Sequence, residues 1–213
     1  MPSLIGRAAA LALLACAVFS GITAAQEPAF RRVQLSHGIS LEIPSHWTVL
    51  SSETRKNLSA VGQAIAENSG TELPAGRKEP LLAVNAVPSP TGATIRVSVT
   101  SPPDYTQADL AATKTAELKD LESEMLRTFR KMEAAGGPKI IQAQPFRIER
   151  FNNQLTLVMP YVRAGINGPS PWQVVQYKIP RPTYLLELTL SHRQSDAALW
   201  APILERVKRS IQF

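Results

Sequence analysis

The stretch TYLLELTL at residues 183–190 decides the fold, because its side chains alternate regularly between two environments. One set of alternate positions is entirely apolar and consists of Tyr184, Leu186, Leu188 and Leu190. The intervening positions are mostly polar. A strand points successive side chains to opposite faces, so this pattern predicts a sheet strand with one buried face.

Two stretches before this strand alternate in the same way, at residues 154–161 and 173–179. After it, apolar residues recur at helical spacing, namely Trp200, Ile203, Leu204, Val207 and Ile211. The segment 145–213 is therefore predicted to form three strands closed by a helix that covers the sheet.

The N-terminal half predicts further elements of the same kind. Residues 33–43 alternate around a glycine turn and predict a hairpin, and residues 81–86 and 93–100 predict another strand pair. A helix is predicted from Ser51 or Ser52 to Asn68, with an apolar stripe of Leu58, Val61 and Ile65, followed by an exposed loop at 70–80.

The longest predicted element is one helix over residues 106–135, ahead of strand sequence at 140–151. The strands come as neighbours joined by short turns, including one at residues 167–168, which favours antiparallel pairing. Val158, Val174 and Leu185 place apolar side chains on the second sheet face as well. These features predict an α+β fold, a largely antiparallel sheet with helices on both faces, in a single domain of residues 26–213.

The first 25 residues have the pattern of an export signal peptide. Arg7 precedes an apolar run from Ala8 to Phe19, and Thr23 and Ala25 supply small side chains for cleavage after Ala25. The run is too short to span a bilayer, which takes about 20 residues. The chain is thus predicted to be exported, periplasmic or secreted, with no transmembrane helix in the mature part.

Cys16, the single cysteine, lies inside this segment, so the mature chain would have no thiol. The residues Leu13, Leu14 and Ala15 before it loosely resemble a bacterial lipoprotein box. The alternative is therefore a lipid anchor at Cys16 and a membrane-tethered lipoprotein.

The mature chain is basic. Removing the one basic residue of the signal leaves 22 Lys and Arg against 17 Asp and Glu, a formal charge of +5. Such a charge favours an anionic envelope component, such as lipid headgroups or cell-wall polymers, as a partner. The basic residues are scattered without interleaved aromatic residues, so no nucleic-acid partner is predicted.

Motifs for catalysis, metals or cofactors are missing from the sequence. His37, His46 and His192 share no metal-ligand spacing, and no G-x-S-x-G elbow or glycine-rich phosphate loop is present. The acidic residues at 117–124 alternate with Lys and Arg as on a solvated helix face. We therefore predict no catalytic residue, no metal and no cofactor.

The phrase ISLEIPSHW at residues 39–47 and the closing segment 200–213 resemble PsbP-like proteins. This superfamily includes the photosystem II extrinsic subunit, a nuclear Ran-release factor and many bacterial envelope proteins. The resemblance implies an α/β/α sandwich used mainly as a non-catalytic binding or assembly module, without shared catalytic residues.

Two functions follow as hypotheses. The first is an exported bacterial non-catalytic protein that binds an envelope protein or an anionic envelope component, with Arg163, Ile166 and Arg181 on sheet-edge loops as candidate interaction residues. The alternative is a secreted or periplasmic hydrolase with a site assembled from distant loops. Trp47, which follows a proline turn, is predicted to be a structural anchor.

Overall fold

The computed structural model describes residues 28–71, 76–165 and 170–213. Its strands are β1 (Phe30–Gln34), β2 (Ser40–Pro44), β3 (Thr48–Val49), β4 (Arg77–Asn85), β5 (Ala93–Ser101), β6 (Ile140–Ala143), β7 (Arg147–Phe151), β8 (Gln154–Arg163), β9 (Trp172–Pro180) and β10 (Leu185–Arg193). Its α-helices are α1 (Ser52–Asn68), α2 (Gln107–Ala112), α3 (Thr115–Ala134) and α4 (Ala197–Ser210).

Eight of these strands form one antiparallel sheet. Seven of them follow in the order β3-β4-β5-β10-β9-β8-β6, and the eighth, β7, also pairs with β8. Strand β10, which contains most of the 183–190 stretch, lies at the centre between β5 and β9. The remaining two strands, β1 and β2, form a separate antiparallel hairpin. The predicted antiparallel sheet is confirmed.

The larger core lies on the face of β10 that presents Leu186, Leu188 and Leu190. The β1-β2 hairpin and α4 cover this face. They contribute side chains that are almost fully buried, among them Ile39, Leu41, Ile43, Trp200, Leu204 and Val207. The alternation at 183–190 therefore has the predicted cause, a hydrophobic face closed by the last helix.

The opposite face carries a smaller apolar cluster of Leu110, Phe146, Leu157 and Met159. Helix α2 packs on β8, α3 packs on β6, and α1 contacts β4 and α3. The sheet thus has helices on both faces, as predicted.

The single helix predicted over 106–135 is wrong, because the chain breaks into α2 and α3 at Thr113. The backbone of Thr113 is extended, with φ −63° and ψ 126°. A new helix start follows, where Glu117 Oε2 accepts a hydrogen bond of 2.8 Å from the backbone N–H of Lys114. Because of this break, α2 packs on β8 and places Leu110 in the smaller core, while α3 packs on β6.

Two further local predictions are corrected. The loop expected at 70–80 ends early, since β4 begins at Arg77 and pairs with the last residues of β5 before a bulge near Pro80. Two of the three residues in the apolar stripe of α1 are exposed, Leu58 at 50% and Val61 at 59%, because α1 packs on the sheet mainly along β4. Spacing alone identified the helix but not its packing.

The predicted signal segment, with Cys16 and Ala25, lies outside the described residues, as does the turn predicted at 167–168. Over the described ranges, no helix has the length and apolar content needed to cross a membrane.

Candidate anion-binding site

Strand register brings two arginines and a tryptophan into one row on the second sheet face. Arg163 at the end of β8 pairs with Trp172 at the start of β9, and Trp172 pairs with Arg193 at the end of β10. Residues directly opposite one another in antiparallel strands share a face. This row lies at one end of the sheet, next to the loop between β4 and β5.

A third arginine, Arg96, points to the same face from β5, where it pairs with Thr189 of β10. Its Nη1 donates to the carbonyl oxygens of Val84 at 2.8 Å and of Ile95 at 2.9 Å. Its Nη2 donates to Asn85 Oδ1 at 2.8 Å. These bonds hold the Arg96 guanidinium at the rim of β4.

The three arginines line one cavity of about 590 Å³, which we call the arginine cavity. Its other lining residues are mostly hydroxyl-bearing or apolar and come from β3, the end of β4, the β4-β5 loop, β5, and the start of β9 with the residues just before it; they are Thr48, Asn85, Ala86, Val87, Ser89, Pro90, Thr91, Thr94, Ser170 and Trp172. Its volume lies within the usual range for small-molecule sites, about 300 to 1,000 Å³.

The charges of the cavity are only partly compensated. Arg193 Nε lies 3.0 Å from Asp196 Oδ2, an ion pair that offsets one positive charge. Among the described residues, Arg96 and Arg163 have no carboxylate within ion-pair distance. The arginine cavity therefore carries an excess of two positive charges.

Burial acts on both of these arginines, and the positive charge of Arg163 also acts on Arg96. Burial, together with the positive charge of Arg163, lowers the pKa of Arg96 to about 10. Burial also lowers the pKa of Arg163. Both guanidinium groups stay protonated at neutral pH, so their repulsion persists until a negative charge enters the cavity.

Arg163 is oriented by a stacking contact. Its guanidinium carbon lies 4.9 Å from the ring centroid of Trp172, and its Nη1 donates to the carbonyl oxygen of Ala164 at 3.0 Å. Stacking on a tryptophan face holds a guanidinium while leaving most of its N–H donors free. The arrangement of fixed cations and neighbouring hydroxyl groups is suited to hold an anion.

The structure separates the candidate interaction residues taken from the sequence. Arg163 lines the arginine cavity, whereas Arg181 lies beyond the other end of β9, where its guanidinium carbon is 5.2 Å from the Phe213 ring. Ile166 lies outside the described residues. The interaction roles of Arg163 and Arg181 stay predictions, and a role of Arg181 would concern a partner other than the ligand of the arginine cavity.

The histidines stand on separate elements and make ordinary contacts. His37 stacks near Tyr184 with ring centroids 4.9 Å apart, and its Nε2 is 3.7 Å from Glu79 Oε2. His192 Nδ1 is 3.0 Å from the carbonyl oxygen of Arg193, and His46 is exposed. In the described ranges, no three potential metal ligands come together.

Sequence reasoning missed Arg96 and Arg193 as site residues. Each occupies a polar position in an alternating strand, which is usually a solvated position. The usable signal was the pairing of β5 with β10, since that pairing would have placed both arginines on the face of Glu187 and Thr189.

The molecule is an antiparallel α+β sandwich with an arginine-lined cavity at one end of its second face, and its fold is PsbP-like. It is similar to the solution structure of cyanobacterial PsbP (CyanoP) from Synechocystis sp. PCC 6803, with a TM-score of 0.53 and 12% identity over 91% of this chain and 98% of that chain. At this identity the likeness is one of fold alone.

A second similar structure is LpqN of Mycobacterium tuberculosis, described as involved in cell envelope biogenesis. The identity is 12%, the match covers 86% of this chain and 90% of LpqN, and the TM-score is 0.46. No protein-family model and no curated protein matches the sequence.

Proposed function

We propose that this chain is an exported bacterial, non-catalytic binding protein of the cell envelope, and that the arginine cavity holds an anionic envelope component. The observation that carries the proposal is the pair Arg96 and Arg163, two half-buried cations that line one cavity without a carboxylate among the described residues. A charge that is partly removed from water without an opposite charge nearby is unfavourable. A bound anion would supply the missing charge.

The lining of the cavity supports binding in preference to catalysis. Its described residues offer arginines, hydroxyl groups and apolar side chains, but no histidine, cysteine or carboxylate. A hydrolase needs a general base or an activated nucleophile within reach of its substrate. The PsbP-like fold, which the resemblance associates with binding and assembly modules, agrees with this choice.

The proposed export of the protein rests on the sequence of residues 1–25, which has the pattern of an export signal. We propose that residues 26–213 act as one domain in the periplasm or outside the cell. A lipid anchor at Cys16 would place the same cavity at a membrane surface.

Retention of envelope components tests the proposal. The exported protein is purified after expression of the full-length gene, incubated with a solubilised envelope fraction and analysed for bound anionic components by mass spectrometry. Wild type should retain such a component and Arg163→Gln should lose most of it. The matched control is Arg181→Gln, because Arg181 also stacks on an aromatic ring but lies outside the cavity.

Equal retention by wild type and Arg163→Gln would show that the arginine cavity is not the binding site. Turnover of the retained component on incubation with wild type would overturn the non-catalytic proposal and favour the hydrolase.

A further inference from the structure

We infer that the ligand of the arginine cavity is a phosphate monoester, with its phosphoryl group between Arg96 and Arg163 and its organic part in the remaining volume. This inference rests on the proposed function, since it names the chemical class of the anion that the cavity binds.

The first argument is charge. Asp196 offsets Arg193, so Arg96 and Arg163 leave an excess of two positive charges in the cavity. A phosphate monoester carries a charge of about −1.5 to −2 at pH 7, whereas a carboxylate or a phosphodiester carries only about −1. Of these three groups, only the monoester can neutralise both guanidinium groups at once.

The second argument is the supply of hydrogen-bond donors. A guanidinium group carries five N–H donors in a planar fork. Arg96 directs three hydrogen bonds to Val84, Ile95 and Asn85, and Arg163 directs one to Ala164. Each arginine keeps donors for a ligand, and the three terminal oxygens of a phosphoryl group can accept from both arginines more fully than the two oxygens of a carboxylate.

The third argument is size. Inorganic phosphate alone would occupy only a small part of a cavity of about 590 Å³. The walls beyond the arginines include the apolar side chains of Val87, Pro90 and Trp172. These surfaces suit the organic part of an ester, so the inferred ligand is an ester and not the free ion.

Calorimetric titration of the exported full-length gene product tests the class of anion. The probes are glucose 6-phosphate and glucuronate, which present a phosphoryl group and a carboxylate on similar sugars. We expect glucose 6-phosphate to bind at least about tenfold more tightly, because it makes additional charge-assisted hydrogen bonds. The difference should shrink as salt is raised, since both partners are charged.

Variants locate the site. Arg163→Gln should weaken glucose 6-phosphate binding by about tenfold to a hundredfold, whereas Arg181→Gln should leave it unchanged. If Arg163→Gln does not fold, Arg163→Lys serves instead. It keeps the positive charge but loses the planar fork, so a smaller loss of affinity is expected.

Vesicles distinguish a lipid source of the phosphoryl group from a soluble one. Vesicles that contain phosphatidic acid present a monoester, and vesicles that contain phosphatidylglycerol present a diester of lower charge. Preferential binding to phosphatidic acid, lost in Arg163→Gln, would support the inference and identify a lipid headgroup. Binding of glucose 6-phosphate without vesicle binding would support it and identify a soluble ester.

Three outcomes overturn the inference. If glucuronate binds as tightly as glucose 6-phosphate, the cavity binds anions generally, and the inference fails while the proposed function stands. In a second outcome, wild type binds none of the probes at millimolar concentration and still retains an envelope component that Arg163→Gln loses. In that case the inference fails and the proposed function stands. If Arg163→Gln binds every probe as wild type does and retains the same envelope component, both fail together.

Discussion

Trp47 and Trp200 meet edge to face, with ring centroids 5.6 Å apart and ring planes inclined by 76°. Trp47 follows the β1-β2 hairpin and Trp200 lies in α4, so the contact joins the first part of the described chain to the last. Trp47 is 3% and Trp200 is 8% exposed. Neither indole nitrogen has a hydrogen-bond partner among the described residues, so the pair stabilises the fold through packing.

Trp47→Ala is expected to lower the free energy of unfolding by about 3 to 5 kcal/mol, because it removes a buried aromatic side chain and leaves a cavity beside Trp200. Chemical denaturation measures the change. The control Val61→Ala removes an exposed side chain, 59% accessible, and should change stability by less than about 0.5 kcal/mol. An unchanged unfolding midpoint for Trp47→Ala would contradict its role as a structural anchor.

Gly92→Ala is expected to destabilise the protein, because a Cβ atom at this position would lie 2.5 Å from Trp200 Nε1. Because the tryptophan is buried and cannot move away freely, we expect the free energy of unfolding to fall by about 1 to 3 kcal/mol, as in other overpacked cores. Gly62→Ala is the matched control, since nothing lies within 4 Å of its Cβ position in α1. That change should be neutral or stabilising by up to about 1 kcal/mol. Thermal unfolding of both variants decides between these outcomes.

The stability of the protein is expected to depend on pH through Glu187. Burial opposes its charged form, but Lys78 and Lys178 outweigh burial and hold its pKa below the ordinary value. A depressed folded-state pKa contributes stability above the unfolded pKa, which is about 4.3, and this contribution is lost as pH falls through the folded pKa. Glu187→Gln should therefore be less stable than wild type at pH 7, and the difference should narrow below about pH 4.

Denaturation curves from pH 7 to pH 2.5 measure this effect. Glu79→Gln is the control, since the Glu79 side chain is 56% exposed and lies 3.7 Å from His37. An equal acid dependence in wild type and Glu187→Gln would show that the lysine pair does not stabilise the folded carboxylate.

Cleavage of the exported protein is expected after Ala25, because Thr23 and Ala25 supply the small side chains that signal peptidase requires. Intact-mass measurement should show a chain that begins at Gln26. Cys16→Ala should be processed identically. A diacylated chain that begins at Cys16 would refute this and identify a membrane-tethered lipoprotein.

Replacement of His37, His46 and His192 together by Gln is expected to leave ligand retention largely intact, because none of them lines the arginine cavity. Glutamine keeps hydrogen-bonding capacity without titrating near neutral pH. Loss of function from a single histidine replacement, in a protein that still folds and is exported, would favour the hydrolase instead.

Part of the cavity could have been anticipated from the sequence. The sequence predicts Arg163 as an interaction residue on a sheet-edge loop, and Arg163 lines the cavity. The sequence predicts Arg181 on the same grounds, yet Arg181 lies beyond the opposite end of β9 and stacks on Phe213. Local pattern shows that a residue ends a strand, but it does not show which strand ends lie together.

The sequence by itself determined most of the local elements and the buried face of the central strand. The alternation at 183–190 defines a strand, the spacing from Trp200 to Ile211 defines a closing helix, and Thr106 with Asp109 defines a helix start, because each signal depends on neighbours within a few residues. Only the tertiary structure decided the break at Thr113, the exposure of α1 and the meeting of Arg96, Arg163 and Arg193. These depend on the pairing and packing of segments distant in the chain, which local periodicity does not encode.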